Sequence, residues 1–333
     1  MKRVIPLFSL LLLLIGLSSC APASEQTIFA MDTVMSLRAY GKEAEAAIQE
    51  ASTMLYDMDA RWSITRPDSE IGKINRSDGK AVKVSDDTYD LLSSALAAAE
   101  QFSGAFDPTI QPVMDLWGFY SDAPTLPDPD ALKDALDSVD ASQVALLEDH
   151  YVVAPAEVGI DLGAVAKGYA ADQVRDLLLS RGVHSALCNL GGTVMALGSK
   201  PDGSDWIVAV QHPTVPSAYL CTLAVSNMAV VTSGGYERYL EIDGKQYHHI
   251  MDPSTGYPCE SDLLSVTILS ESALYGDILS TSLFVMGYDA AMEYWRTSRD
   301  FEAIFVLSDG SVCMTGGVEN YLSSCEEPCT FVK

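Results

Sequence analysis

Residues 159–172, GIDLGAVAKGYAAD, join the end of a strand, a tight turn of small residues and the start of a helix. Val158 and Ile160 read as strand, and Asp161 and Gly163 interrupt it. Residues 164–179 then carry Val165, Tyr169, Val174, Leu177 and Leu178 at roughly helical spacing until Gly182 stops the helix. Ala164, Lys167, Gly168 and Ala171 lie three or four apart, so they share one side of that helix, a patch of small side chains with one ammonium. A helix start presents unpaired N–H groups and the positive end of the macrodipole, so a lysine in its first turn is electrostatically misplaced without an anion beside it. A phosphate suits that place. Pairing of Lys167 with Asp161, or a solvated ammonium, is the competing expectation.

Upstream, residues 33–40 alternate Met35, Leu37 and Ala39 with Ser36 and Arg38 and are expected to form a strand, followed by an alanine-rich amphipathic helix at 43–58. Residues 61–75 read as a loop in which Ser69 and Glu70 begin a short helical turn. Ser85 caps a helix that runs to Phe102 and stops at Gly104. Two prolines among large apolar side chains make residues 104–119, GAFDPTIQPVMDLWGF, a packed irregular wall. Residues 121–130 read as an exposed, proline-rich excursion before a small helix at 131–138. Downstream, strands are expected at 206–211, 220–225, 238–243, 245–250, 264–270 and 303–307, with Asp243 and Gly244 the strongest hairpin signal. Helices gathered early and at the middle, with hairpin-linked strands late, favour an α+β fold with a largely antiparallel sheet core and packed helices.

The N-terminus is expected to lie outside that fold. Lys2 and Arg3 precede an apolar run over 4–17, and Leu17-Ser18-Ser19-Cys20 reads as a lipobox, giving a secretory signal at 1–19, an anchor at Cys20 with a tether to residue 27, and one domain over 28–333. Loss of residues 1–19 lowers the basic residues from 20 to 18 against 46 acidic ones, moving the formal charge from −26 to −28. So acidic a surface excludes nucleic acid as a partner, and a phosphorylated ligand needs a local positive device. Six cysteines remain beyond the anchor, and Cys325 with Cys329 is the expected local disulfide.

Asp277 and Thr281 lie four apart on an expected helix that is apolar nearly all round, so both point the same way. A carboxylate and a hydroxyl at that spacing offer two hard oxygen ligands of the kind magnesium prefers, with Ser280 beside them. Such a pair can equally cap a helix or bond to nearby backbone. His248 and His249 end a strand, and alternation sends them to opposite faces, one available as a general base and the other structural.

GAFDPT (104–109), GIDLGAVAKGYAAD, NLGG (189–192), VVTSGGYERY (230–239), HHIMDPSTGYP (248–258) and DILSTSLFVMG (277–287) occur in the order found in the ApbE family of FAD:protein FMN transferases. The chain resembles that family over about residues 28–307. The resemblance implies an exported, lipid-anchored, magnesium-dependent enzyme at the extracytoplasmic face of the membrane. Such an enzyme transfers the FMN half of FAD to a threonine or serine hydroxyl of an exported or membrane redox protein and releases AMP. It implies that the Ala164 main-chain carbonyl, Asp277 and Thr281 hold magnesium, and that Met31, Ala105, Phe106, Asp107, Asp161 and Lys167 contact FAD, as would a residue of the pair Ile250 and Met251, assigned to Met251. His249 would be the catalytic histidine. Two positions depart from the family pattern: Asp32 stands where glycine is usual and Thr65 where tyrosine is usual, with Trp62 the nearby aromatic that could replace it. Two other functions fit the same residues: a FAD pyrophosphatase, using water as nucleophile, and a non-catalytic flavin-binding lipoprotein.

Overall fold

The computed structural model describes residues 23–102, 104–121 and 124–333. The chain begins with a hairpin, β1 (Ala23–Ala30) and β2 (Thr33–Tyr40), closed by Met31 and Asp32 at φ of 50° and 57°. Two successive positive φ angles define the tight turn that matches strand twist, and aspartate is among the few residues besides glycine that tolerate them. That accounts structurally for Asp32 at a position where glycine is usual. Residues 23–27, expected in a tether, are therefore part of a strand. The signal at 1–19 and Cys20 lie outside the described residues.

Next come α1 (Ala44–Trp62), α2 (Glu70–Ile74), β3 (Val82–Lys83), α3 (Asp86–Gln101), α4 (Gln111–Trp117), α5 (Pro129–Leu136), β4 (Ala145–Leu147), β5 (Tyr151–Val153) and α6 (Ala166–Ser180). Ser69 and Ser85 cap α2 and α3 by accepting main-chain N–H bonds, as expected. The expected irregular wall is corrected: residues 111–117 form α4, because Pro112 sits in its first turn, where a missing N–H costs nothing. The expected strand end at Val158 and Ile160 is reduced to one bridge between Ile110 and Gly159.

The second half runs β6 (Ala186–Leu190), β7 (Thr193–Leu197), β8 (Trp206–Gln211), β9 (Tyr219–Val225), β10 (Met228–Gly234), β11 (Tyr239–Ile242), β12 (Lys245–His248), β13 (Leu263–Ser270), α7 (Ala273–Met286), α8 (Tyr288–Ser298), β14 (Glu302–Leu307), β15 (Val312–Thr315), β16 (Leu322–Cys325) and β17 (Cys329–Val332). Nine strands form one sheet in the order β1-β2-β6-β7-β10-β13-β14-β15-β17, antiparallel except for β15 with β17. The α+β expectation holds.

Alternate residues of that sheet enter two cores. Ala229, Val231, Val266, Ile268 and Phe305 pack under the helices, whereas Val230, Leu269 and Ile304 meet Trp206, Val208 and Leu223 of the smaller sheet β16-β9-β8. A third cluster seats α4 and α5 against the β11–β12 hairpin around Trp117, which is fully buried and donates from Nε1 to Gly256 O at 2.8 Å. Burying a side chain of that size stabilises by roughly 2–3 kcal/mol, and it fixes the hairpin that ends in the paired histidines. The expected Cys325–Cys329 disulfide is absent: the six cysteines among the described residues are free thiols, and these two belong to strands of different sheets.

Candidate active site

The site is built on the contact between α6 and α7. Gly168 N–H donates to Asp277 Oδ2 at 2.8 Å. In an uninterrupted helix that N–H would bond to Ala164 O. The ladder here starts one residue later, with Tyr169 N–H on Val165 O at 3.1 Å, so no hydrogen bond among the described residues occupies the Ala164 carbonyl. Only glycine allows this approach, since a Cβ on residue 168 would lie 2.5 Å from Ala273 O and 2.7 Å from Asp277 Cβ. Asp172 locks the two helices in register by accepting from Ser272 Oγ (2.7 Å), Ala273 N–H (3.0 Å) and Leu274 N–H (3.1 Å). An α6 side chain thus caps α7.

Asp277 is 4% exposed, and burial raises its carboxyl pKa against the opposing pull of the Lys167 ammonium and the Gly168 N–H. Its Oδ1 receives no hydrogen bond among the described residues. Thr281, one turn on, is half-buried with its hydroxyl 3.3 Å from Ser233 Oγ. Ser280 is instead fully buried and committed to Ser233 Oγ (2.8 Å) and Asp277 O (3.2 Å), so it is no ligand in this arrangement. A main-chain carbonyl, a carboxylate oxygen and a hydroxyl on one seam are hard donors, and their chemistry fits magnesium.

Lys167 is the second residue of α6, half-buried, its Nζ 3.5 Å from Gly163 O. It does not pair with Asp161. That carboxylate accepts from Gly163 N–H at 2.7 Å and from the Tyr120 hydroxyl at 2.5 Å, building the turn before the helix. The Lys167 charge instead acts on Asp277, Glu237 and His249. Glu237, unassigned in the sequence, reaches solvent yet is walled by protein. That desolvation, opposed by Lys167 and reinforced by Asp277, pushes its carboxyl up to about 7. A Cβ on Gly192 would sit 3.4 Å from Glu237 Oε1, which brings the NLGG turn to the same cleft.

The two histidines part as alternation requires. His248 Nε2 lies 3.1 Å from Cys259 O, and the ring stands edge-on to Phe284, so it is structural. His249 Nδ1 lies 3.0 Å from Arg238 O. A carbonyl only accepts, so Nδ1 carries the proton and Nε2 keeps the lone pair. Burial lowers the His249 pKa to about 4; the Arg238 carbonyl opposes this, while Lys167, His248 and Arg238 add to it. The imidazole is neutral at pH 7.

The remaining assigned residues divide. Asp161 N–H donates to Pro108 O at 2.7 Å and Asn75 holds Ile160 through both its amide groups, so the loop of Ala105, Phe106 and Asp107 lies beside the 159–163 turn. Ala105 and Phe106 are buried, and both carboxylate oxygens of Asp107 are occupied, by Thr109 and by Ala141 N–H. Met31 is half-buried at the hairpin turn with its N–H on Asp59, while Met251 is 7% exposed and packs in the Trp117 cluster. Trp62 does not replace the missing tyrosine. It is buried, donates to Thr88 and meets Tyr169 edge-on, whereas Thr65 is exposed, its hydroxyl 3.0 Å from that of Ser63. Tyr120, Glu237 and Arg238 were missed, although each lies in or next to a quoted motif.

The sequence profile of the ApbE family matches residues 31–305. A protein from Treponema pallidum (strain Nichols) named FAD:protein FMN transferase is 35% identical over 335 residues, 93% of this chain and 92% of its own length. One of the same name from Klebsiella pneumoniae (strain 342) is 37% identical over 257 residues, 76% of this chain and 79% of its own. Among solved structures, the ApbE protein of Thermotoga maritima superimposes with a TM-score of 0.85 at 31% identity, covering 91% of this chain and 100% of that one. The flavin transferase ApbE from Vibrio cholerae superimposes at 0.81 and 25% identity over the same shares.

Proposed function

This chain belongs to the ApbE family, and we propose that it is a magnesium-dependent FAD:protein FMN transferase. It would move FMN from FAD to a threonine or serine hydroxyl of an exported or membrane-bound redox protein and release AMP. The observation that carries the reading is the meeting of three groups at one helix start: the buried Asp277 carboxylate, the uncommitted Ala164 carbonyl and the Lys167 ammonium. An acidic chain needs such a device to hold a diphosphate.

In the reaction the acceptor oxygen bonds to the FMN phosphorus as the bond from that phosphorus to the bridging oxygen breaks, and AMP leaves with the electron pair. The hydroxyl proton passes to His249 Nε2, the one ring nitrogen with a lone pair in the tautomer that Arg238 O selects. Lys167 sits where the diphosphate charge grows and binds it more tightly in the transition state than in the substrate. Magnesium, held by Ala164 O, Asp277 and Thr281, would supply further charge neutralisation and orient the phosphates. Asp161, Met31, Ala105, Phe106, Asp107 and Met251 are the proposed remaining contacts to FAD. Cys20 is the proposed lipid anchor at the extracytoplasmic face.

The test is the intact mass of an acceptor incubated with FAD, magnesium and the protein. An added FMN mass together with AMP, lost in His249→Ala, is the expected result. FMN and AMP without labelling would move the assignment to FAD hydrolysis, and bound but unchanged FAD to a flavin carrier.

A further inference from the structure

We propose that Arg238 and Tyr120 form a strut that positions the His249 ring and sets its separation from the Asp161–Lys167 turn; this rests on the transfer reaction proposed above. Neither residue is among those that the family resemblance assigns. Arg238 lies between β10 and β11, and its carbonyl receives both the main-chain N–H of His249 (3.1 Å) and its Nδ1–H (3.0 Å). Two bonds to one carbonyl fix the ring as well as the strand. The guanidinium of the same residue reaches across to the other wall, where it donates from Nη2 to Phe119 O and lies 5.3 Å over the Tyr120 ring. Tyr120 in turn donates its hydroxyl to Asp161 Oδ2 at 2.5 Å, and Asp161 Oδ1 accepts Gly163 N–H at 2.7 Å, four residues before Lys167.

The path runs from the base to the phosphate-side turn through directional hydrogen bonds at His249, Phe119, Tyr120 and Asp161, joined by the guanidinium stacked over the Tyr120 ring. It joins chain segments 118 residues apart, between Tyr120 and Arg238, so no local element enforces the spacing. In-line transfer tolerates little error in the distance between base and reacting phosphorus, and a displacement of about 1 Å costs on the order of a hundredfold in rate. A planar guanidinium that stacks and donates at once suits the role better than an ammonium would. Arg238 also faces His249 electrostatically, together with Lys167 of α6 and the neighbouring His248.

The experiment compares wild type with Tyr120→Phe, Arg238→Ala and Arg238→Lys in the acceptor-labelling assay, together with histidine 15N spectra of each protein without FAD. Tyr120→Phe keeps the ring and removes only the hydroxyl, which guards against a variant that fails to fold. The expected result is kcat lower by about tenfold in Tyr120→Phe and more in Arg238→Ala, KM for FAD within about twofold, and partial recovery in Arg238→Lys. The Nδ1–H tautomer of His249 should persist in Arg238→Ala, which keeps the main-chain carbonyl that accepts it, while the ring signals shift and broaden as that carbonyl loses its side-chain tether. Removing that cation should also move the acid limb of kcat to higher pH, with Arg238→Lys restoring it. Wild-type kcat and unaltered His249 ring signals in all three variants would overturn the strut alone, as would losses that follow thermal stability with unaltered ring signals. No labelling by wild type would overturn the transfer reading and the strut with it.

Discussion

Two neighbouring imidazoles take opposite proton arrangements because their carbonyl partners sit on opposite ring nitrogens: Cys259 O on Nε2 of His248, Arg238 O on Nδ1 of His249. Histidine 15N spectra at neutral pH should therefore show one neutral ring of each tautomer, and a His249 ring protonated on Nε2 would contradict its assignment as base. The nearby carboxyl of Glu237 gives a second prediction. Its folded pKa, about 7, is raised from an ordinary 4.5, so its contribution to stability is full below 4.5 and is lost as pH rises through 7. Glu237→Gln should consequently gain stability relative to wild type between pH 5 and pH 8, read as the difference in denaturation midpoint; a constant difference would show that the carboxyl is ionised throughout. Asp277 offers the metal test. Alanine there orphans the Gly168 N–H, at a cost of about 1–3 kcal/mol, so Asp277→Asn, which keeps an acceptor and removes the charge, separates stability from chemistry. It should fold with a near-wild-type midpoint and lose magnesium-dependent turnover. Retained activity would remove Asp277 from the metal set.

The seam between α6 and α7 is where a helix, a turn and two carboxylates become one device, and its tolerance is small. Gly168→Ala would place a methyl 2.5 Å from Ala273 O and 2.7 Å from Asp277 Cβ, forcing the helices apart. Overpacking of this kind costs about 1–3 kcal/mol. The variant should show a lowered denaturation midpoint together with lost magnesium dependence, and a protein unchanged in both would refute the packing account. Lys167 at the start of α6 and the Asp277–Thr281 pair were legible in the sequence because helical spacing alone places them. Asp161 was legible as a turn residue, but its partner Tyr120 was not, since nothing local connects residues 41 apart. Elements were hidden for equally physical reasons. β10 lies between the helices on one face and β9 on the other, so MAVVTSG is buried on both sides and shows no alternation. Pro112 disguised α4, and the polar opening of β1, ASEQT, read as tether because that strand lies at the sheet edge with much of it exposed.

At the scale of the molecule, an enzyme with formal charge −26 has no electrostatic reason to approach an anionic bilayer. Among the described residues no helix is long and apolar enough to cross one. The proposed membrane attachment is an acyl group on Cys20, three residues before β1 begins at Ala23. Three extended residues reach only about 10 Å, so an anchored domain would work close to the headgroups, on acceptor hydroxyls near the membrane surface. Confinement to the same surface raises the effective concentration of a membrane-bound acceptor without altering any contact in the site. Cys20→Ser should therefore leave the rate on a soluble acceptor fragment unchanged and reduce labelling of the same acceptor embedded in vesicles or native membranes, with the variant recovered in the soluble fraction. Equal labelling of the membrane-bound acceptor by both proteins would show that anchoring does not govern the encounter, and a variant processed to begin at residue 20 that still stays with the membrane would remove Cys20 as the anchor.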